Sequence, residues 1–368
     1  MGTALDKLTI RGFKSIRELK DFELNKLNII VGANGAGKSN FVSFFRMLRA
    51  LIEGNLNRYV RDNGGAGDLL FQGRKMTQEM VFETHFGSRG YRFTLVPTPA
   101  DGCAIENEAR YYAGGTTGWW VLGDSEDGKS RLAAEVVENK SDAGYSKPVY
   151  DAITSWRIYH FHDTSTSAAM RHYEIVQDCE VLRTDAANLA PFLLSLRKEY
   201  PQQYKAIIHA VRLVTPFFDD FILKPRKQGV KEDINLSWLQ TGSDYPMQPW
   251  HLSDGSIRFI CLATALLQPN PPSTIIIDEP ELGLHPAAIV ILAELIQQAA
   301  QRTQVIVATQ SPALIDQFAI EDIVVVNRKE GASTFSRLNE ADYAEWLESY
   351  SVGELWTKNV IAGGPRYE

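Results

Sequence analysis

Cysteine is scarce in this sequence. Cys103, Cys179 and Cys261 stand far apart among 368 residues, with no C-x-x-C pair. That excludes a disulfide framework and a cysteine-based zinc site, and it fits a reducing cytosol. Long apolar runs are missing too. None approaches the roughly 18 residues that span a bilayer. The start, MGTALDKLTIRGF, lacks the apolar stretch of an export signal. No membrane partner is therefore expected, and the chain is expected to be cytoplasmic. Positive charge is not in excess: 38 Lys plus Arg face 45 Asp plus Glu, for a net charge of −7. A whole-surface nucleic-acid binder is disfavoured, although one local basic groove is not. Internal repeats, low-complexity tracts and sustained heptads are also lacking, which leaves no long coiled coil. What is present is a globular balance, 44% apolar and 23% charged, long enough for one large domain or two ordinary ones.

The pattern along the chain is α/β at both ends. Leu27, Ile29, Ile30 and Val31 form a short apolar run ending on Gly32, as a buried parallel strand does. Phe41, Phe44, Phe45, Leu48, Leu51 and Ile52 then recur at helical spacing, with Gly54 as the stop. Short alternating stretches between Met80 and Val121 predict antiparallel strands, and the polar stretch from Gly123 to Lys147 predicts a loop. Residues 188–216 predict two helices split at Tyr200-Pro201. From Ser256 the α/β character returns: a buried helix to Gln268, a buried strand from Ser273 to Asp278, a helix from Ala287 to Gln301, a strand from Gln304 to Thr309, a helix from Ala313 to Phe318 and a strand from Asp322 to Asn327. The expected organisation is one head from residues 1–75 and 245–335, an inserted α+β lobe at 76–244, and a C-terminal segment at 336–368. That last segment either packs on the head or docks a partner.

Three motifs carry chemistry. GANGAGKS is a full G-x-x-x-x-G-K-[ST] phosphate loop between strand and helix, with Asn40 following. Gly32, Asn34, Gly35, Ala36 and Gly37 let backbone N–H groups turn around phosphate oxygens at a helix N-terminus. Lys38 then reaches the β- and γ-phosphates of ATP, and the Ser39 hydroxyl ligates Mg²⁺. TIIIDEPE places Asp278 at the end of a buried strand, where it holds Mg²⁺. Adjacent Glu279 points elsewhere and can orient or deprotonate the attacking water. LSDGS, Leu252 to Ser256, opens the buried helix about 20 residues before that strand. It reads as a second anion site or as a simple N-cap.

The phosphate loop, LSDG and IIIDEP, in this order, resemble the ABC-type ATPase head. RGFKSI at Arg11 to Ile16, NGAGKSN and DEPELGLHP narrow the resemblance to the RecF-like and SMC-like branch. The nearest likeness there is to short stand-alone ATPases related to the ATPase half of overcoming-lysogenisation-defect nucleases. The resemblance covers both α/β pieces and continues through YHFHDTS to GELW. It implies a mixed-sheet ATPase head that dimerises head to tail with two ATP molecules sandwiched between the copies. Lys38, Ser39, Asp278 and Glu279 would act from one copy, and Ser253 and Gly255 of the other would cap the γ-phosphate. Gln310, in TQSP, stands at the switch-histidine position; its amide can bridge water and phosphate but cannot carry a proton. Asp254 and Ser256 stand where transporter ATPases have Gly and Gln. Gln72, in LLFQGR, is either a Mg²⁺- and water-sensing glutamine or an exposed loop residue. His285 either reaches the partner site or caps the helix after it.

Other clusters have more than one reading each. YHFHDTS, Tyr159 to Ser165, is expected to put His160 and His162 on one face of a strand with Asp163 nearby, to bind a metal, to join lobe to head or to form a hydrogen-bonded strand end. Lys224, Arg226, Lys227 and Lys231 could touch DNA phosphates or form a solvated hairpin. Tyr111, Tyr112, Trp119 and Trp120 could stack on bases or pack on a strand face. In the segment Asp342 to Trp356, folding back on the head suits Trp346, Leu347, Leu355 and Trp356 better than exposure. The expected function is ATP hydrolysis by a homodimer acting on DNA or a DNA-directed partner, in repair or phage defence. Two alternatives remain: a slow-turnover scaffold holding a nuclease or toxin chain, and a transporter ATPase subunit, which RGFKSI, DEPE and the long insertion after Lys38 disfavour. The roughly 40 residues after Asn327 are too few for a nuclease domain of about 100 residues.

Overall fold

The computed structural model describes residues 3–114, 118–229 and 231–361. Two six-stranded sheets dominate. The first is antiparallel and runs, in spatial order, Ile16–Glu23, Lys7–Phe13, Met80–Phe86, Arg89–Pro97, Cys103–Tyr112 and Gly118–Ser125. The second runs Ala332–Arg337, Ile323–Lys329, Leu27–Val31, Gln304–Thr309, Thr274–Asp278 and Arg157–Tyr159. It is parallel except for its antiparallel edge strand, Ala332–Arg337.

The apolar runs read as buried strands form the centre of the parallel sheet, and successive side chains alternate between two cores. Ile29 and Val31, Ile275 and Ile277, and Val305 and Val307 face a core shared with the helices Asp254–Leu267 and Pro286–Ala300. Ile30, Ile276, Ile306 and Val324 face the opposite way, into a core shared with the helix Lys38–Ile52 and the antiparallel sheet. Phe41, Phe44 and Phe45 fill that second core, with Phe44 stacked on Phe82 at 5.8 Å between ring centroids.

The segment 76–244 shares both sheets with the rest of the chain. The expected boundary at 75/76 falls between two strands of one sheet, because Met80–Phe86 pairs with Lys7–Phe13. Arg157–Tyr159 lies at the edge of the parallel sheet beside Thr274–Asp278. The strand expected to carry His160 and His162 therefore ends at Tyr159, before both histidines.

The stretch expected to be a loop from Gly123 to Lys147 instead contains the helix Arg131–Val137 and the start of the helix Ala143–Ser155. Their anchors are distant in sequence. The buried Glu108 carboxylate accepts from the N–H groups of Arg131 and Leu132, and Ser130 caps the first helix at Ala133 N. Arg110 ties both together through Glu135 and Asp142.

The expected helix at Ala313 to Phe318 is one turn, Pro312–Ile315. Against it packs Val352–Thr357, with Leu355 and Trp356 buried. Trp346 is 46% exposed, so it does not share the burial expected for it. Residues 362–368 of the C-terminal segment lie outside the described residues. Among the described residues, no helix is long and apolar enough to cross a membrane.

Candidate functional site

Strand register gathers the motifs. Val31 pairs with Thr309 and Asp278 with Ala308, so the phosphate loop, Gln310 and the Asp278-Glu279 pair emerge at one carboxyl edge of the parallel sheet. Ligands of open α/β sheets bind at this edge.

The phosphate loop is braced from below. Gly37 has φ +120, a conformation that side chains resist, and a Cβ there would collide with Ser333 Oγ. Ser333 Oγ lies 2.7 Å from Ser15 Oγ and donates to Ala36 O at 2.5 Å. Asn40 Nδ2 donates to Ser15 Oγ at 2.7 Å, so its amide belongs to the brace. Arg328 reaches Gly35 O at 3.3 Å. Gly32 and Ala36 are buried, while Asn34, Gly35 and the Ser39 side are exposed. Ser15 and Ser333 were not among the expected site residues. RGFKSI contains Ser15 without revealing what it supports, and nothing local marks Ser333.

Lys38 folds back on its own loop and donates to Gly32 O at 2.6 Å and Ala33 O at 3.3 Å. Burial pulls its ammonium below the ordinary lysine value, against the opposing charges of Glu279, Asp278 and Glu281. Burial also raises the Asp278 carboxyl, with Glu279 adding to the rise and Arg46, His162 and Lys38 opposing it.

Glu279 has φ +47, strained for a side-chain-bearing residue. Its N–H donates to Ala308 O at 2.8 Å, which fixes the turn. Gln310 Nε2 donates to Glu279 Oε1 at 3.2 Å, so the sheet edge brings these two expected residues into contact. Glu281 is a further acid at this edge. Thr309 Oγ1 donates to it at 2.5 Å, and burial raises its carboxyl. The adjacent DEPE acids signalled it in the sequence, but not its bond to Thr309.

Gln72 is exposed and lies in a cleft with Ser15, Asn40 and Arg328, near the phosphate-loop helix. Its φ is +54, and Phe71 N donates to Gly12 O at 2.8 Å just before it.

The LSDG turn is held by different contacts. Ser253 caps its own helix, accepting from Ser256 N at 3.0 Å, and its hydroxyl lies 2.9 Å from Ser256 Oγ. The N-cap reading thus describes what Ser253 does within one chain. A Cβ at Gly255 would lie 2.6 Å from Gly283 O, so this turn packs directly on the DEPELG loop. Buried Arg258 reinforces that packing by donating to Leu282 O, Phe161 O and His162 O. Asp254 accepts from buried Arg171 at 3.0 Å. Ser253 and Asp254 remain exposed.

The remaining clusters sort by contact. His160 and His162 lie 6.3 Å apart as parallel rings, while Asp163 accepts from Ser165. Among the described residues, no three His, Cys, Asp or Glu side chains group to hold a metal. His285 Nδ1 accepts from Ala287 N at 3.2 Å and caps the helix Pro286–Ala300. Arg226 is committed to Asp233 at 2.6 and 3.1 Å and lies over the Tyr173 ring; Val230 of that cluster lies outside the described residues. Tyr111 and Trp119 pack with His85 and Arg92 on the antiparallel sheet.

Comparison with known proteins places this geometry. Residues 27–316 match a family model described as "AAA domain, putative AbiEii toxin, Type IV TA system". No curated protein matches the sequence. The structure is similar to an SMC head bound to the C-terminal winged-helix domain of ScpA. Identity is 17%, the match covers 93% of this chain and 99% of that one, and the TM-score is 0.55. It is similar too to a Pyrococcus furiosus Smc head with an extended coiled coil, bound to the C-terminal domain of ScpA. Identity is 16%, coverage is 94% and 98%, and the TM-score is 0.54. At these identities the likeness is one of fold. The family model spans well over half of the sequence, and the chain belongs to this AAA-domain family of nucleotide-binding ATPases, on a fold of the SMC-head type.

Proposed function

We propose that this protein binds and hydrolyses ATP between two head-to-tail copies and uses the cycle to act on DNA or on a DNA-directed partner. The observation that carries the reading is the convergence of Lys38, Asp278, Glu279 and Gln310 on one sheet edge, with Gln310 already holding the Glu279 carboxylate. In ATP binding, Lys38 leaves the carbonyls of Gly32 and Ala33 for the β- and γ-phosphates, and the loop N–H groups cradle them. Glu279 Oε1, oriented by Gln310 Nε2, takes the proton of the attacking water. Gln310 holds and orients, since an amide cannot relay that proton.

The donors at this edge are oxygens: the exposed Ser39 hydroxyl, the Asp278 carboxylate and the Gln72 side chain from the neighbouring cleft. Such a set suits a hard cation. Ser39 and Asp278 would hold Mg²⁺, with Gln72 as an outer contact. When bound, the ion neutralises charge on the phosphate oxygens.

One chain carries one phosphate loop and one LSDG turn. The exposed Ser253 and the closely packed Gly255 support a role for that turn on the phosphates of a second copy. The work in repair or phage defence is part of the same proposal, and the toxin–antitoxin wording of the matched family is compatible with it. Gln310 favours one second reading, a slow-turnover scaffold that holds a nuclease or toxin chain.

The steady-state ATPase rate, with and without linear duplex DNA and with Lys38→Ala as blank, tests the proposal. Stimulation that weakens with salt supports action on DNA. A low rate indifferent to DNA supports the scaffold. A rate unchanged in Lys38→Ala contradicts the site itself.

A further inference from the structure

An open cleft of about 630 Å³ lies beside the nucleotide edge, outside the phosphate loop. Its floor is the far half of the phosphate-loop helix, with Arg46, Arg49 and Glu53. One wall is the edge strand, with Arg157 and the adjoining His160, and the other is the 178–185 segment, with Arg183. Register places Tyr159 beside Ile277, so His160 follows at the level of Asp278.

Four guanidinium groups thus line one cleft, and their partners are unequal. Arg49 is paired with Glu53 at 2.8 Å and also donates to Trp156 O at 2.9 Å. Arg183 is paired with Asp178 at 2.6 Å and Glu174 at 3.4 Å. Among the described residues Arg157 is in no ion pair, and its Nη1 donates to the carbonyls of Thr154, Ser155 and Trp156. Arg46 is half-buried and makes no hydrogen bond or ion pair among the described residues. The one other acid lining the cleft, Asp185, accepts from Ala187 N at 3.0 Å.

Burial dominates the electrostatics of this cleft, and the neighbouring cations add to it. Burial, and then the neighbouring Arg49, lower the Arg157 value. Burial and Arg46 lower His160, with Asp185 opposing. Like charges held together in a partly desolvated cleft are unfavourable unless an anion neutralises them. Planar guanidinium forks match phosphate oxygens in pairs.

We propose that this cleft binds a terminal phosphate monoester, with Arg46 and the free edge of Arg157 as its donors and His160 beside it. A cleft of this volume accommodates a nucleotide-sized ligand. The same chemistry is offered by a free nucleotide and by the 5′-phosphorylated end of a nucleic acid. The inference does not rest on ATP hydrolysis.

The test uses the full chain carrying Lys38→Ala, which silences the phosphate loop. Binding of 5′-AMP is measured by calorimetry, in parallel with single-stranded oligonucleotides bearing a 5′-phosphate or a 5′-hydroxyl. The expected result is binding of AMP, or of the phosphorylated oligonucleotide over its hydroxyl counterpart, weakened about tenfold or more by Arg46→Gln. AMP binding identifies a nucleotide as the source; selective oligonucleotide binding identifies a nucleic-acid end. The His160 ring resonances should shift on addition of the bound probe, which reads the site without a second mutation. Among the described residues Arg46 makes no hydrogen bond or ion pair to lose, although its charge offsets the burial of Asp278, so Arg46→Gln is expected to fold, which circular dichroism checks. Absence of binding by both probes, or binding unaffected by Arg46→Gln, overturns the proposal.

Discussion

The phosphate loop and the Ser253 turn are both glycine-bearing turns that open helices, and the chain treats them differently. The phosphate loop is wired into its own subunit. Ser333, Ser15 and Asn40 brace it, Arg328 reaches its crest, and Lys38 is buried against its carbonyls. The Ser253 turn is braced only behind, through Gly283, Arg258 and Arg171. Its front, Ser253 and Asp254, faces outward. The first turn is braced on the side away from the phosphates it is proposed to hold. The second is a presented surface, held in position by Ser256 and Arg171 while Ser253 and Asp254 stay exposed. If the proposed shared site holds, one copy carries the phosphate loop complete and displays the Ser253 turn for another.

The largest way to break the comparison is Lys38→Ala. It should weaken ATP binding by about 100-fold or more, since several charge-assisted bonds to phosphate are lost together; calorimetry with ATP and Mg²⁺ measures this. Glu279→Gln comes next. Turnover should fall by about 10²–10⁴-fold while ATP binding persists, because only proton transfer is removed, and light scattering should detect an ATP-bound dimer. A monomer at saturating ATP and micromolar protein would count against the shared site.

Ser253→Arg sharpens the contrast. ATP binding to the monomer should remain while nucleotide-dependent dimerisation and turnover are lost, as sedimentation with ATP would report. Ser333→Ala probes the brace instead. Loss of the bonds to Ser15 and Ala36 should cost about 1–2 kcal/mol of stability, seen as a lower melting temperature with weaker ATP binding.

The smallest effect concerns Asp278. Its carboxyl is raised by burial, so folding favours the protonated form. That contribution is present at low pH and is lost as pH rises through the raised value. Above that raised value the ionised group is a cost. Asp278→Asn should therefore raise the melting temperature slightly, by about 1–2 °C, while abolishing turnover. A lower melting temperature would contradict the assignment of that cost to burial.

The parallel centre of the fold was legible because its signals are local. Four-to-six-residue apolar runs ending on Gly32, Asp278 or Gln310 can hardly be anything but buried strands. Lys38, Ser39, Asp278 and Glu279, proposed for phosphate, metal and water, lie at or just after those runs, whereas Gln72 and Ser253 do not. What could not be read was built by distant contacts. Glu108 caps a helix more than twenty residues on, Arg157–Tyr159 is a strand only because Thr274–Asp278 lies beside it, and Ser333 meets Gly37 across most of the chain. Trp346 misled for the opposite reason: apolar content favoured burial, but while Leu355 and Trp356 are buried and Leu347 packs partly buried against the core, Trp346 stays exposed.

Subunit complementation tests the central claim most directly. Lys38→Ala and Ser253→Arg proteins, each inactive alone, are mixed and assayed for ATP hydrolysis. If the Ser253 turn completes the Lys38 site of another copy, mixed dimers hold one intact site, and the mixture should recover about a quarter of the wild-type rate. No recovery above the sum of the two parents, or full activity of Ser253→Arg alone, would contradict a site shared between copies.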